Sequence, residues 1–172
     1  MSELRTNRIV PRDGLVSGTG IGGGIIQIKQ TIKKDQFTTA NNTNNYIDIT
    51  GLNVTITPTR SDSKVLVKAV IYNSNANAVN FFRLLRGSTF IEQPSGTSSS
   101  GASYNAHAFA YYNANNWQDS TVIEILDEPA TTSATTYKIQ MGVTSAIGTI
   151  NKFYNTSNYY GISTITAMEV SG

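Results

Sequence analysis

YIDITGLNVTITPTRSDSKVLVKAVIY, from Tyr46 to Tyr72, holds two apolar-alternating runs joined by the polar, proline-containing TPTRSD of Thr57 to Asp62. Alternation puts every second side chain on one face, the pattern of a half-buried β-strand. In the first run Ile47 and Ile49 are in phase, whereas Leu52, Val54 and Ile56 follow in the opposite phase. The slip falls at Thr50-Gly51 and predicts a bulge or sharp bend, where glycine tolerates a backbone that other residues resist. In the second run Val65, Val67, Ala69 and Ile71 make one face, and Leu66, Lys68, Val70 and Tyr72 a mixed one. The reading is a pair of long antiparallel strands at the heart of a β-sandwich.

The same period extends outward. Ile25, Ile26, Ile28 and Ile32 mark an earlier strand, and Tyr137, Ile139, Met141 and Val143 alternate with Thr136, Lys138, Gln140 and Gly142. Tyr104–Tyr112 sets Ala106, Ala108 and Ala110 on one face and His107, Phe109 and Tyr111 on the other. Gly87-Ser88, between LLR and TFI, has the glycine-first order of a type II′ hairpin turn. Thr121–Leu126, Thr149–Tyr154 and Ile162–Val170 complete eight to ten strands, with almost no helix, since no long window repeats at 3.6 residues. The predicted fold is all-β, an antiparallel sandwich of jelly-roll type over residues 25–172. Before it, residues 1–24 form a predicted arm and hinge: Arg5, Arg8 and Arg12 lie among Leu4, Ile9 and Val10, and SGTGIGGG follows. Such an arm is expected to be held by a neighbouring chain rather than by its own domain.

Composition narrows the function. At 172 residues the chain fits one domain, large enough to fold without disulfides or metal, and it has no cysteine. Charged residues are 14%, with threonine, serine and asparagine in their place, and the net charge of +2 supplies no basic stripe for nucleic acid. Without a long apolar run or an apolar leader core, the chain is expected to be soluble, not inserted in a membrane, and not exported through a cleavable signal.

Chemical motifs are weak. Gly18–Gly23 spells GxGxxG, but an arm precedes it and a β-branched strand follows, so it reads as hinge rather than nucleotide loop. His107 is the single histidine; it has no companion ligand for a metal, and it reads as a structural or subunit-interface residue beside Phe109 and Tyr111. Asp119, Glu124, Asp127 and Glu128 flank TVIEIL, yet nothing brings two carboxylates together for glycan hydrolysis. No catalytic residue, metal or cofactor is expected. Tyr111, Tyr112, Trp117, Tyr154, Tyr159 and Tyr160 sit near loops, where rings either pack or stack on sugars. Of these, Tyr112 and Trp117 are the candidate receptor contacts.

Two stretches resemble a known family. SELRTNRIVPRDG with the glycine hinge and GGIIQIKQT is similar to the N-termini of small virion proteins of tailed bacteriophages, above all marine and cyanobacterial ones. ITGLNVTITPTRSDSKVLVKAVI, LLRGSTFI and STITAMEVSG are similar to the β-sandwich module that follows in those proteins, variously described as tail fibre or structural protein. The strand order also resembles the trimeric jelly rolls of complement and tumour-necrosis-factor type. The resemblance implies a non-enzymatic component on the outside of the virion, a homotrimer docked through its arms onto other virion proteins. Host binding, to a surface glycan or protein, is expected of the loops at Ser95–Ser103 and Asn113–Asp119. Two alternatives stand beside it, a head-decoration or head-fibre protein and a glycan depolymerase.

Overall fold

The computed structural model describes residues 24–40, 45–96, 105–113, 117–154 and 158–171. The proposed arm residues Leu4, Arg5, Arg8, Ile9, Val10 and Arg12, the GxGxxG spelling and most of the Ser95–Ser103 loop lie outside them. Among the described residues there are eleven strands and no helix. They are β1 (Ile25–Lys33), β2 (Phe37–Thr39), β3 (Ile47–Ile56), β4 (Lys64–Ser74), β5 (Val79–Arg86), β6 (Thr89–Phe90), β7 (Ala108–Tyr111), β8 (Gln118–Asp127), β9 (Thr135–Val143), β10 (Gly148–Ile150) and β11 (Ser163–Val170).

Pairing follows one nested rule. β1 pairs with β11, β3 with β9, β4 with β8 and β5 with β7, all antiparallel. This is a long hairpin wrapped into a barrel-like sandwich, which is the jelly roll. Sheet one runs β1-β11-β4-β8, with β2 and β10 prolonging the first two lanes, and sheet two runs β3-β9-β5 with β6 and β7 successive along the outer edge of β5.

The paired-strand reading of Tyr46–Tyr72 needs correcting. β3 lies in sheet two and β4 in sheet one, so TPTRSD crosses between sheets instead of turning a hairpin. Both strands alternate because both line the same core: Leu52, Val54 and Ile56 face Val65, Val67, Ala69 and Ile71, each at most 3% exposed. The predicted bulge is present, since the β3–β9 register shifts between Asp48 and Asn53 and Gly51 adopts φ +79°. Gly87 likewise has φ +60° in the two-residue β5–β6 turn. The crossing is pinned by Glu169, fully buried on β11, which accepts from Thr59 N–H (2.7 Å), Thr59 Oγ1 (2.8 Å) and Gln27 Nε2 (2.6 Å). Burial works to raise the Glu169 pKa, but these donors outweigh it and hold the carboxyl down at about 2.

His107 completes the edge of sheet two. Between β7 and β6 the β5 edge has a gap, and there the His107 ring takes the place of a strand. Its Nδ1 accepts from Leu84 N–H at 2.9 Å, which leaves Nε2–H to donate to the Ile91 carbonyl at 2.8 Å. Phe90 stands edge-on to the ring, with centroids 4.7 Å apart. Burial pushes the imidazole pKa below its usual value; the Ile91 carbonyl opposes this and the Arg83 charge adds to it.

Candidate functional site: the loop end of the sandwich

Asparagine, threonine and serine side chains hydrogen-bond readily to backbone. Here they collect where β4 ends and β5 begins. Asn73 of β4 donates through Nδ2 to Ile71 O (3.0 Å) and Thr121 Oγ1 (3.0 Å). Its Oδ1 accepts from Asn80 Nδ2 (2.9 Å) and Tyr112 OH (2.7 Å), and Asn75 Nδ2 reaches Asn80 Oδ1 at 2.6 Å. Ser74 Oγ meets Thr149 Oγ1 at 2.7 Å, and Ser163 Oγ donates to Asn151 Oδ1 at 2.6 Å. Asn151 Nδ2 in turn reaches the Lys33 carbonyl at 2.8 Å. Asn73, Ser74, Asn75, Asn80, Asn151 and Ser163 are fully buried. A network with its donors and acceptors matched is rigid, because any displacement strands a buried polar group. It therefore ties the two sheets together at one end of the molecule.

Three of the five described non-glycine residues with left-handed φ belong to this end. Asn77, Ala146 and Asn151 adopt left-handed φ of 50°, 58° and 59°, which a non-glycine residue holds only where its surroundings impose it. Above this floor Trp117, Tyr159 and Tyr160 are exposed by 62%, 60% and 58%. They are drawn together around Tyr72, whose hydroxyl bonds Gln118 Oε1, next in the chain to Trp117. On the other side Gly161, next to Tyr160, lies so close to the Tyr72 ring that a Cβ there would run into it. Tyr72 thus stands between Gln118 and Gly161, the chain neighbours of the exposed rings Trp117 and Tyr160.

The sites expected from sequence divide accordingly. Trp117 is one of these exposed rings. Tyr112 is not: it is 2% exposed, its hydroxyl is spent on Asn73, and burial pushes its pKa up, so it is a scaffold residue and no receptor contact. Phe109 and Tyr111 are 70% and 68% exposed on the outer face of sheet two, whereas His107 is bonded within its own chain. The carboxylates are scattered. Glu124 pairs with Lys68 at 3.1 Å on the outer face of sheet one, Glu128 pairs with Lys64 at 2.5 Å, and Asp127 is buried against Arg86 Nη1 (2.7 Å) and Tyr137 OH (2.6 Å). Asp127 also borders an open depression of about 320 Å³ lined by Arg86, Thr89, Ile91, Glu92, Leu126 and Glu128. Among the described residues no three His, Asp or Glu side chains gather in a metal-binding group.

Sequence reasoning overlooked Tyr72, Gly161 and the asparagine floor. NSNANA reads as a loop, and only its position at the joint of two core strands hints that its asparagines are buried.

No family model matches the chain, and no curated protein matches it. Among solved structures it is similar to that of the infectious bursal disease virus Gx strain (9% identity, TM-score 0.37, covering 85% of this chain and 37% of that one). A second similar structure is the VP2 subviral particle of infectious bursal disease virus (7% identity, TM-score 0.37, covering 85% and 40%). The chain thus spans about two fifths of the length of either protein.

Proposed function

We propose that this chain is a non-enzymatic structural protein of a tailed-phage virion, a tail-fibre or appendage component on the outside of the particle. Residues 1–24 dock it onto other virion proteins, and the jelly roll is displayed as a homotrimer whose loop end contacts the host surface. The sequence resemblance supplies the setting. The observation that carries the contact is the exposure of Trp117, Tyr159 and Tyr160 on segments that meet Tyr72, next in the chain to the buried Asn73 network. Aromatic rings presented without a mobile backbone beneath them bind at low entropic cost.

The test is adsorption of phage carrying Trp117→Ala and Tyr160→Ala. Each anchoring ring lost at a contact of this kind costs about 1–2 kcal/mol, so binding of the purified protein to host cells is expected to weaken by about tenfold or more. Unchanged adsorption would overturn the host-contact reading. If the same particles also had fragile capsids when the protein was deleted, the head-decoration alternative would replace it.

A further inference from the structure

The outer face of sheet one is built in rows. Register places Ile28 beside Met168, Met168 beside Leu66 and Leu66 beside Leu126, which makes one apolar row across four strands. Two residues further along lie Gln30, Thr166, Lys68 and Glu124, and two further again Ile32, Thr164, Val70 and Val122. The flanking strands are the most open: Ile28 is 57% exposed, Ile32 48%, Val122 50% and Leu126 48%. β1 is the telling element. Its isoleucines point outward while Lys33 and Thr31 point inward, the reverse of what a lone domain gains from.

The polar row is already satisfied within the chain. Gln30 Nε2 donates to Thr166 Oγ1 at 2.9 Å, and Lys68 pairs with Glu124 at 3.1 Å. Covering it would therefore strand neither charge. Four strands about 4.8 Å apart and three rows about 7 Å apart make a patch of roughly 400 Å². That is about half of the ~800 Å² each partner buries in a standard interface, and it forms the centre of contacts that continue past the edge strands.

We infer that this face joins copies of the chain, the β1 half of one against the β8 half of the next. About an axis parallel to the strands every row stays at its own height, so Ile28 meets Leu126, Ile32 meets Val122, and Gln30 meets Glu124 of the neighbour. The other pairings fail on charge or coverage. β8 against β8 sets Glu124 on Glu124, and β1 against β1 leaves Val122 and Leu126 in water. Repeated head to tail, the contact closes a ring, and the inference rests on the homotrimer reading for the number of members.

Light scattering on the full chain, with far-UV circular dichroism to confirm folding, tests both parts. Wild type is expected at three chains and Val122→Lys/Leu126→Lys at one, while Phe109→Lys/Tyr111→Lys on sheet two stays at three. A wild-type monomer would overturn the ring and the homotrimer together. An oligomer that survives the β8 lysines, or dissolves with the β7 ones, would overturn this face alone. The chain has no cysteine, so a short bis-maleimide on Gln30→Cys/Glu124→Cys reads the pairing directly. Linked multimers from the double variant and none from Glu124→Cys alone are expected; linking of Glu124→Cys alone would overturn the pairing.

Discussion

The two sheets share a core but differ on their outer faces. On sheet two the β3–β9 half is polar and locally knit: Lys138 and Gln140 both reach Asp48, at 2.7 and 2.8 Å, and Thr55 meets Thr136 at 2.7 Å. Arg83 lies 3.4 Å over the Tyr46 ring and donates through Nε to the Asn105 carbonyl at 2.5 Å. Sheet one instead flanks its polar row with one row of four apolar side chains and one of three with Thr164, each half-exposed at the edges. The β3–β9 half is finished within the chain, although Phe109 and Tyr111 stand exposed on the β7 side of the same face. The outer face of sheet one makes sense when something covers it. The lesson is that an outward side chain must be judged with its cross-strand neighbours: a single exposed Leu126 is ordinary, but a row of four apolar side chains is not.

The comparison can be broken from the inside of each sheet, and sheet one offers the larger effect. Glu169→Ala removes the acceptor of three hydrogen bonds that hold the sheet crossing. Leaving those donors without a charged partner should cost about 2–3 kcal/mol. For a chain of this size that lowers the melting temperature by roughly 5–10 °C. The same group sets an acid limb. Its folded pKa of about 2 lies below the ordinary value of 4.5, so its contribution is complete above pH 4.5 and is lost as pH falls toward 2. Thermal melts across that window should slope in wild type and flatten in Glu169→Gln.

Sheet two should yield at a milder pH. His107 is held neutral, with Nδ1 as acceptor for Leu84 N–H, and protonation would turn donor against donor. Its folded pKa is depressed below 6.5, so the stability it supplies is present above pH 6.5 and is lost as pH falls through the lower folded value. His107→Ala leaves one amide and one carbonyl short of partners on a half-open edge, a cost of about 1–2 kcal/mol. Hydrogen exchange should speed up at Leu84 and along β6 and β7 before β1 and β11 respond. Simultaneous loosening of both sheets would refute the assignment of the two limbs to two sheets.

Much of the fold was legible because alternation reports which face of a strand meets the core. The phase slip at Gly51, the buried set Val65, Val67, Ala69 and Ile71, the Gly87 turn and the β9 alternation each rest on residues close in sequence. Alternation does not say which sheet a strand joins, so β3 and β4 read as partners although they face one another across the core. The three-residue strands Phe37–Thr39 and Gly148–Ile150 are too short to show a period, and the expected Thr149–Tyr154 strand shares only Thr149 and Ile150 with β10. The loop end was half legible. Trp117 stands out in an asparagine-rich loop, but whether Tyr112 or Trp117 is the exposed ring depends on Asn73, 39 residues from Tyr112. The apolar rows were not legible at all, because a row exists only after four strands from distant parts of the chain have taken their register.

The smallest expected effect sharpens the contrast of the outer faces most. Thr55→Lys puts a lysine on the polar β3–β9 half, opposite Thr136 and beside Lys138, and costs one exposed hydroxyl contact plus a screened repulsion. Changes of this kind stay within about 0.5 kcal/mol, so the melting temperature should move by no more than about 2 °C and the solution mass not at all. Val122→Lys is as exposed before mutation and changes charge by the same amount, and in an isolated chain it should be equally silent. If the chain is monomeric, the two lysines are equivalent. If sheet one is covered by a second copy, the Val122 lysine must be buried against Ile32 of that copy or break the contact. A concentration-dependent melting temperature should then be present in wild type and Thr55→Lys but vanish in Val122→Lys. Equal behaviour of the two variants across concentration would mean that the rows of sheet one meet only water.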